Sequence, residues 1–276
     1  VCPNYQMFVR GSTCESCATW RYHNAVLKRC MRNSLSASAL VAAEAYCHRM
    51  LHTYADNVDV FVAPSAQLRE KMIAHGVDGS RIVPLPYSIS LEGYSPSYAH
   101  DGYAAYVGRL SPGKGLRTLL EAQAKAPSVA LKIVGTGPLE SELREWAARD
   151  DMKNVSFMGH RSGDELASLV RGALFVVVPS ECFENSPLTV YEASALGKPV
   201  VGSKMGGIPE LVLDQETGLL FEPGNDAELA ERMRELWSDA VRASRMGREA
   251  RARAEREFAP DRHYESIMRI YERVIA

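Results

Sequence analysis

Leu174-Phe175-Val176-Val177-Val178 is a run of five apolar residues with nothing polar alternating among them. A strand of that kind is buried on both faces, as in a parallel sheet covered by helices on each side. The same rhythm repeats outward from it. Upstream, residues 103–107, 129–134 and 155–158 read as strands, and 115–126, 139–149 and 163–172 as helices; Leu116, Leu119 and Leu120 share one helix face. Downstream, 187–196 reads as a helix, 199–202 as a strand, and the chain from Asp226 as helical. Such βαβα alternation defines an α/β fold with a parallel sheet. Ligands of these sheets bind beyond the carboxyl ends of the strands, so the loops that follow strands carry the chemistry.

The front of the chain reads differently. Residues 1–35 are loop-like and rich in Cys, Asn, Arg and Ser. Residues 34–54 read as one long helix and 58–64 as a strand. Ser65 caps a helix over 66–75 that ends at Gly76, and 82–85 is a second short strand. Residues 87–102 carry Ser, Pro, Gly and Tyr without a period and read as an interdomain linker. Four of the six cysteines, Cys2, Cys14, Cys17 and Cys30, fall in the first 30 residues. The C-x2-C pair puts two thiolates on one turn, and the flanking cysteines could complete a tetrahedral structural zinc site. Four reduced, partly buried thiols are the plain alternative. Cys47 and Cys182 read as packing residues. His48 and His52 stand i,i+4, but Arg49 follows His48, so the H-E-x-x-H pattern fails and a solvated helix face is expected.

Composition narrows the function. Of 276 residues, 46% are apolar and 24% charged, which excludes disorder, collagen and a coiled coil. The net charge of -2 argues against a dedicated nucleic-acid binder. Residues 241–257 hold six arginines and three glutamates, read as a solvated helix laced with i,i+4 pairs rather than a membrane or nucleic-acid face. No apolar run is long enough to span a bilayer. The opening residues carry no signal-peptide core, and Val1 is not a start methionine; a removed front or a piece of a longer chain is expected.

Three loops stand out. Gly108-Arg109-Leu110-Ser111-Pro112-Gly113-Lys114-Gly115 follows the first strand of the alternating region. Its glycines allow close backbone approach, and Arg109 and Lys114 bring two positive charges, a combination suited to a diphosphate. It is not a Walker A loop. Gly135-Thr136-Gly137 follows the next strand and is weak evidence alone. Pro179-Ser180-Glu181-Cys182-Phe183-Glu184-Asn185-Ser186-Pro187-Leu188-Thr189-Val190-Tyr191-Glu192 follows the apolar strand. Ser186 reads as the N-cap and Pro187 as the first helical residue, leaving the Leu188 and Thr189 amides free for an anion. Glu184 and Glu192 then straddle a phosphate position. Carboxylates repel phosphate, so they should read hydroxyls, and that pattern describes a nucleotide sugar. The plain alternative has Glu184 supplementing the helix start and Glu192 paired with a lysine.

The pieces VGRLSPGKG, KIVGTGP, VSFMGH, VPSECFENSPLTVYEASALGKPVVGSKMGGIPELV and TGLLFEPGN, in that order and spacing, resemble the donor domain of retaining GT-B glycosyltransferases of the family 4 (glycosyl transferases group 1) type. The resemblance implies a Rossmann-like C-terminal donor domain and a partial Rossmann-like acceptor domain lacking its first part. It divides the chain into residues 1–100 (acceptor part, with the Cys-rich segment), 101–258 (donor domain) and 259–276 (a helix returning to the acceptor domain). It assigns Arg109 and Lys114 to the donor diphosphate, Glu184 to the transferred sugar, Glu192 to the ribose, and Met158 and Gly159 to the neighbourhood of the base. Gly108, Gly135, Gly137, Ser186, Leu188 and Thr189 complete the expected donor site.

The expected activity is a cytoplasmic, metal-independent, retaining hexosyltransfer at or near the inner face of a membrane. The donor is a UDP- or GDP-sugar and the acceptor a glycan, lipid-linked or small molecule. No cofactor is expected for catalysis, with zinc only structural. Self-association or a partner chain supplying the front half is expected. Two rivals remain: a nucleotide-sugar epimerase of the same fold, and a non-catalytic nucleotide-sugar-binding subunit.

Overall fold

The computed structural model describes residues 2–275. Two compact units divide it: one holds the residues up to Pro86 with those from Tyr264 onward, the other Tyr87–His263.

The first unit opens with a two-stranded hairpin, β1 (Phe8–Val9) and β2 (Ser12–Thr13). Helices α1 (His23–Leu27), α2 (Leu35–Met50) and α3 (Thr53–Asn57) follow. Ser34 caps α2 by accepting from the Ala37 amide. The single helix expected over 34–54 is broken, because His52 takes a left-handed conformation between α2 and α3. That removes the common face on which His48 and His52 would have stood. Then come β3 (Phe61–Ala63), α4 (Ala66–Ala74) and β4 (Ile82–Pro84), with β3 and β4 paired in parallel. Ser65 caps α4 through the Leu68 amide, as its position predicts. The strand read over 58–64 shrinks to three residues.

The second unit carries the alternation. In chain order it has β5 (Ala104–Val107), α5 (Leu116–Lys125), β6 (Leu131–Val134), α6 (Glu140–Arg149), β7 (Val155–Gly159), α7 (Gly163–Gly172) and β8 (Val176–Val178). There follow α8 (Leu188–Ala195), β9 (Val200–Ser203), α9 (Ile208–Leu211), β10 (Gly218–Phe221), α10 (Asp226–Ser238) and α11 (Ala240–Glu257), while α12 (Pro260–Ile275) runs on past His263. The six strands form one parallel sheet in the order β10-β9-β8-β5-β6-β7. Every residue of β8, β9 and β10 is buried, which is why these strands carry no polar alternation, Ser203 at the end of β9 being the one hydroxyl. Leu116, Leu119 and Leu120 of α5 are buried on one side of the sheet; on the other, Val190 and Tyr191 of α8 are buried against Val176 and Val200.

Two readings of this unit need correction or completion. Residues 87–102 are no free linker. Ile89, Leu91 and Tyr94 pack on the core, and the backbone is held by Phe258 (to Ile89), Leu196 (to Ser97) and Gly172 (to Asp101). Arg251 donates to the Tyr94 carbonyl at 2.8 Å and Lys198 to that of Ala99 at 2.7 Å. Composition cannot reveal a segment ordered through its own main chain. The arginine-rich α11 does behave as a paired helix: Arg251 and Arg253 bond Glu255 and Glu257 at i,i+4, and Arg253 also donates to the Leu211 and Glu210 carbonyls.

The chain passes from β5 outward to β6 and β7, then returns to β8 on the other side of β5. The loops after β5 and β8 therefore leave neighbouring strands in opposite senses and open a crevice, the ligand position of open parallel sheets. Gly115 sets how tightly that crevice closes. Its φ is +67°, and a Cβ there would lie 1.8 Å from the Pro179 carbonyl oxygen. Gly115→Ala should lose about 2–5 kcal/mol from left-handed strain plus steric overlap. Urea unfolding measures it; wild-type stability would contradict this closeness.

Candidate donor site

The loops after β5 and β8 are tied together by main chain. The Glu181 and Cys182 amides both donate to the Gly113 carbonyl, at 2.7 and 3.0 Å. Thr118, on the first turn of α5, donates from Oγ1 to Glu181 Oε1 at 2.5 Å. The loop after β9 locks the other side: the Gly207 amide donates to the Glu184 carbonyl at 2.7 Å, and a Cβ on Gly206 would lie 2.1 Å from that same oxygen. Ser203 Oγ donates to the Ser180 carbonyl at 2.6 Å. Glu184 is thus clamped by three loops, each leaving the carboxyl end of a strand.

At the centre, Lys114 Nζ donates to Glu184 Oε1 at 2.5 Å, and Ser180 Oγ donates to the same oxygen at 2.6 Å. The Glu184 side chain is 14% exposed and that of Lys114 is 32% exposed, so the pair is half-desolvated and still open to a ligand. Both bonds use Oε1, which leaves Oε2 for a hydroxyl. Arg109 is exposed at the start of the same loop and has no ion pair among the described residues. The two cations expected as an equivalent clamp therefore differ, one fixed by a carboxylate and one open.

Leu188 and Thr189 are the first two residues of α8. No side chain caps this end, and amides so placed present donors to an anion. The helix starts one residue later than expected, with Pro187 as its N-cap. Ser186 is corrected accordingly. Its hydroxyl does not cap the helix but meets the Tyr191 hydroxyl at 2.7 Å, with both residues buried. Glu192 lies one turn into α8, half-buried, and its side chain has no ion-pair or hydrogen-bond partner among the described residues. Burial holds its carboxyl above the ordinary carboxylate range. Among the described residues it has no lysine partner of the kind the plain alternative expects.

The glycine pair after β6 has a structural cause. A Cβ on Gly135 would lie 1.9 Å from the Gly108 carbonyl oxygen, and one on Gly137 would lie 2.3 Å from that of Leu110. The Leu110 amide donates to the Thr136 carbonyl, and that of Leu139 to the Leu110 carbonyl. These glycines let two loops press together, and so shape the loop of Arg109 and Lys114 from behind. Met158 and Gly159 end β7, where the Gly135 amide donates to the Gly159 carbonyl at 2.8 Å. They stand at the rim of the same loop cluster. Burial pushes the Cys182 thiol up, away from the thiolate a nucleophile needs.

Ser180, Thr118 and Gly206 are site residues the sequence reading passed over. Ser180 could have been found as the second residue beyond the apolar strand, and Gly206 as the first of a glycine pair just after another strand. Nothing in sequence joins Thr118 to Glu181, 63 residues on.

The chain belongs to the glycosyl transferases group 1 family, whose pattern covers residues 95–253. It is similar to the D-rhamnosyltransferase WbpZ of Pseudomonas aeruginosa, 32% identical over 191 residues that cover 68% of this chain and 49% of that protein. It is similar also to the D-inositol 3-phosphate glycosyltransferase of Mycobacteroides abscessus, 30% identical over 200 residues, 66% of this chain and 45% of that protein. The chain spans about half the length of these relatives. Among solved structures it resembles the sucrose-phosphate synthase of Thermosynechococcus elongatus, with a TM-score of 0.71, 26% identity, and 79% of this chain and 59% of that one covered. The fold is shared with Anabaena HepE, solved with UDP-glucose, at a TM-score of 0.74 and 23% identity, covering 87% of this chain and 69% of that one. The architecture is that of GT-B glycosyltransferases: mixed α/β with a six-stranded parallel sheet.

Proposed function

We propose that this chain carries the donor half of a retaining, metal-independent hexosyltransferase that takes its sugar from a UDP- or GDP-sugar. The acceptor is a glycan, a lipid-linked or a small molecule. The observation that supports the reading is the Lys114–Glu184–Ser180 cluster at the β5/β8 crevice, beside the uncapped start of α8 and an unpartnered Glu192. The diphosphate sits between Lys114, Arg109 and the Leu188 and Thr189 amides, all donors. Glu192 accepts from the ribose, and Glu184 Oε2 from a sugar hydroxyl.

The chemical step breaks the bond between the anomeric carbon and the β-phosphate oxygen. Negative charge grows on that oxygen, and donors already in place stabilise it without reorganising. The proposed step uses no side-chain nucleophile. Attack from the face of the leaving group, with the departing phosphate taking the acceptor hydroxyl proton, gives retention. Lys114, fixed by Glu184, and Arg109, once ordered by the ligand, supply the charge stabilisation that a divalent ion would otherwise give.

Incubating the protein with UDP- and GDP-hexoses and following the anomeric protons by NMR tests this. An α-linked donor should yield an α-configured sugar at the first detectable turnover. A β product would overturn retention, and an epimer still attached to the nucleotide would favour the epimerase.

A further inference from the structure

The cysteines at the front of the chain are not part of the donor site, yet the fold collects them. Cys2, Cys14, Cys17 and Cys30 all line one small cavity of the first unit. The β1–β2 hairpin makes this possible by folding back with Phe8 opposite Thr13; the Cys14 amide then donates to the Met7 carbonyl at 2.7 Å. Cys17 follows on the next turn, and Cys30 closes the group just after α1, its amide donating to the Ala25 carbonyl. All four are free thiols.

We infer that Cys2, Cys14, Cys17 and Cys30 bind one structural zinc ion, which holds the segment from residue 2 to residue 33 in its fold. Three observations carry this. The segment has almost no regular structure, only two two-residue strands and a five-residue helix besides a short 3-10 turn. Its local core is small, namely Cys17, Tyr22 and Ala25 packed with Ala42. A stretch so poor in core needs a cross-link or a metal to hold one shape. Secondly, Tyr5, Met7, Arg10, Thr19, Trp20, Arg29, Arg32 and Asn33 all have positive φ. Such residues cost free energy and persist only when something else dictates the path.

Thirdly, the donor set is chemically selective. Two other possible ligands line the cavity, His75 and Glu15. Glu15 is engaged by Lys71 Nζ at 2.5 Å, and His75 Nδ1 pairs with the Lys71 carbonyl at 2.7 Å, which leaves His75 only its Nε2. The four cysteines are soft thiol donors, a set suited to zinc. Lys28 Nζ lies 3.3 Å from Cys14 Sγ and 2.6 Å from Ser16 Oγ, a fixed positive charge beside what becomes a net -2 centre.

Among the described residues no three of these groups stand ready at ligating positions, so the ion must draw the thiols in. Binding replaces four S–H protons by one Zn2+, releases four protons and involves no oxidation. Pairing into two disulfides would need an oxidant that nothing here supplies.

The full chain, purified without added metal, should contain about one zinc per chain by elemental analysis, with Zn–S near 2.3 Å by X-ray absorption. Native thiol titration should reach at most Cys47 and Cys182, and all six cysteines after a chelator removes the ion. Cys14→Ser should lower retained zinc at least about tenfold after chelator equilibration, Cys14→His should keep it as a Cys3His site, and Cys47→Ser should change nothing. Co2+ added to the stripped protein should give tetrahedral thiolate absorption. Six titratable thiols in metal-free, folded wild-type protein would overturn the inference, as would two disulfides or a metal other than zinc.

Discussion

Lys114→Ala should lower turnover of the nucleotide-sugar donor about a hundred- to a thousandfold, the range seen when one preorganised donor to a developing oxyanion is removed. Lys114 is the cation fixed in place before substrate arrives, because Glu184 holds it at 2.5 Å inside a loop cluster that three strands support. A fixed charge needs no reorganisation in the transition state. Arg109, exposed and unpaired, must be ordered by the ligand first. Removing Lys114 also leaves the Glu184 carboxylate with Ser180 alone, and this adds a repulsive charge near the departing phosphate. Initial rates with saturating donor measure the effect, with circular dichroism and urea unfolding confirming an intact fold. A folded Lys114→Ala protein within about threefold of wild-type turnover would remove Lys114 from the mechanism.

Glu192→Gln should weaken free UDP or GDP by about 10- to 150-fold, the equivalent of losing about 1.5–3 kcal/mol of charge-assisted hydrogen bonding. Glu184→Gln should leave free nucleotide nearly unchanged and lower turnover or sugar discrimination instead. The difference follows from placement: the Glu192 side chain lies one turn into α8 without an ion pair among the described residues, whereas Glu184 is bound to Lys114, where the proposed function seats the sugar. A pH dependence separates the roles further. Burial raises the Glu192 pKa, so its carboxylate takes up a proton as pH falls through a range above that of an ordinary glutamate. The carboxylate is the form that accepts from ribose hydroxyls, so nucleotide affinity should fall with pH there. Titration of the phosphate itself is common to both proteins, so the wild-type curve should fall more steeply than that of Glu192→Gln. Equal losses of nucleotide affinity in the two variants, or parallel pH curves, would overturn the assignment.

The sheet was legible in sequence because its signal is local. Residues 174–178 are apolar throughout since β8 is buried on both faces, and the leucines of α5 fall on one face because α5 packs on the sheet. The strand Gly218–Phe221 and the short helix Ile208–Leu211 were not separated out, being four residues each with no period to read. In the site, Glu184 and Glu192 stood out because a helix start has a recognisable spelling. The Lys114–Glu184 bond spans 70 residues and appears only once β5 and β8 lie side by side. Ser186 was misread for the opposite reason. A serine before Pro-Leu fits the cap pattern, but the Tyr191 hydroxyl one turn on competes for it inside the core. The glycines after β5 read as close approach to a ligand, but at Gly115 the approach is to the Pro179 carbonyl; the pair after β6, weak evidence alone, likewise approaches the Gly108 and Leu110 carbonyls.

Calorimetric titration of the full chain with UDP and with GDP, in EDTA, tests the central claim most directly. One of the two should bind with one site per chain, and at 100 times its dissociation constant should stabilise the protein by about 2.7 kcal/mol. Affinity should be unchanged when magnesium replaces EDTA. Absence of heat and of stabilisation with both nucleotides, in protein shown to be folded, would contradict a donor site built on Lys114, Glu184 and the start of α8.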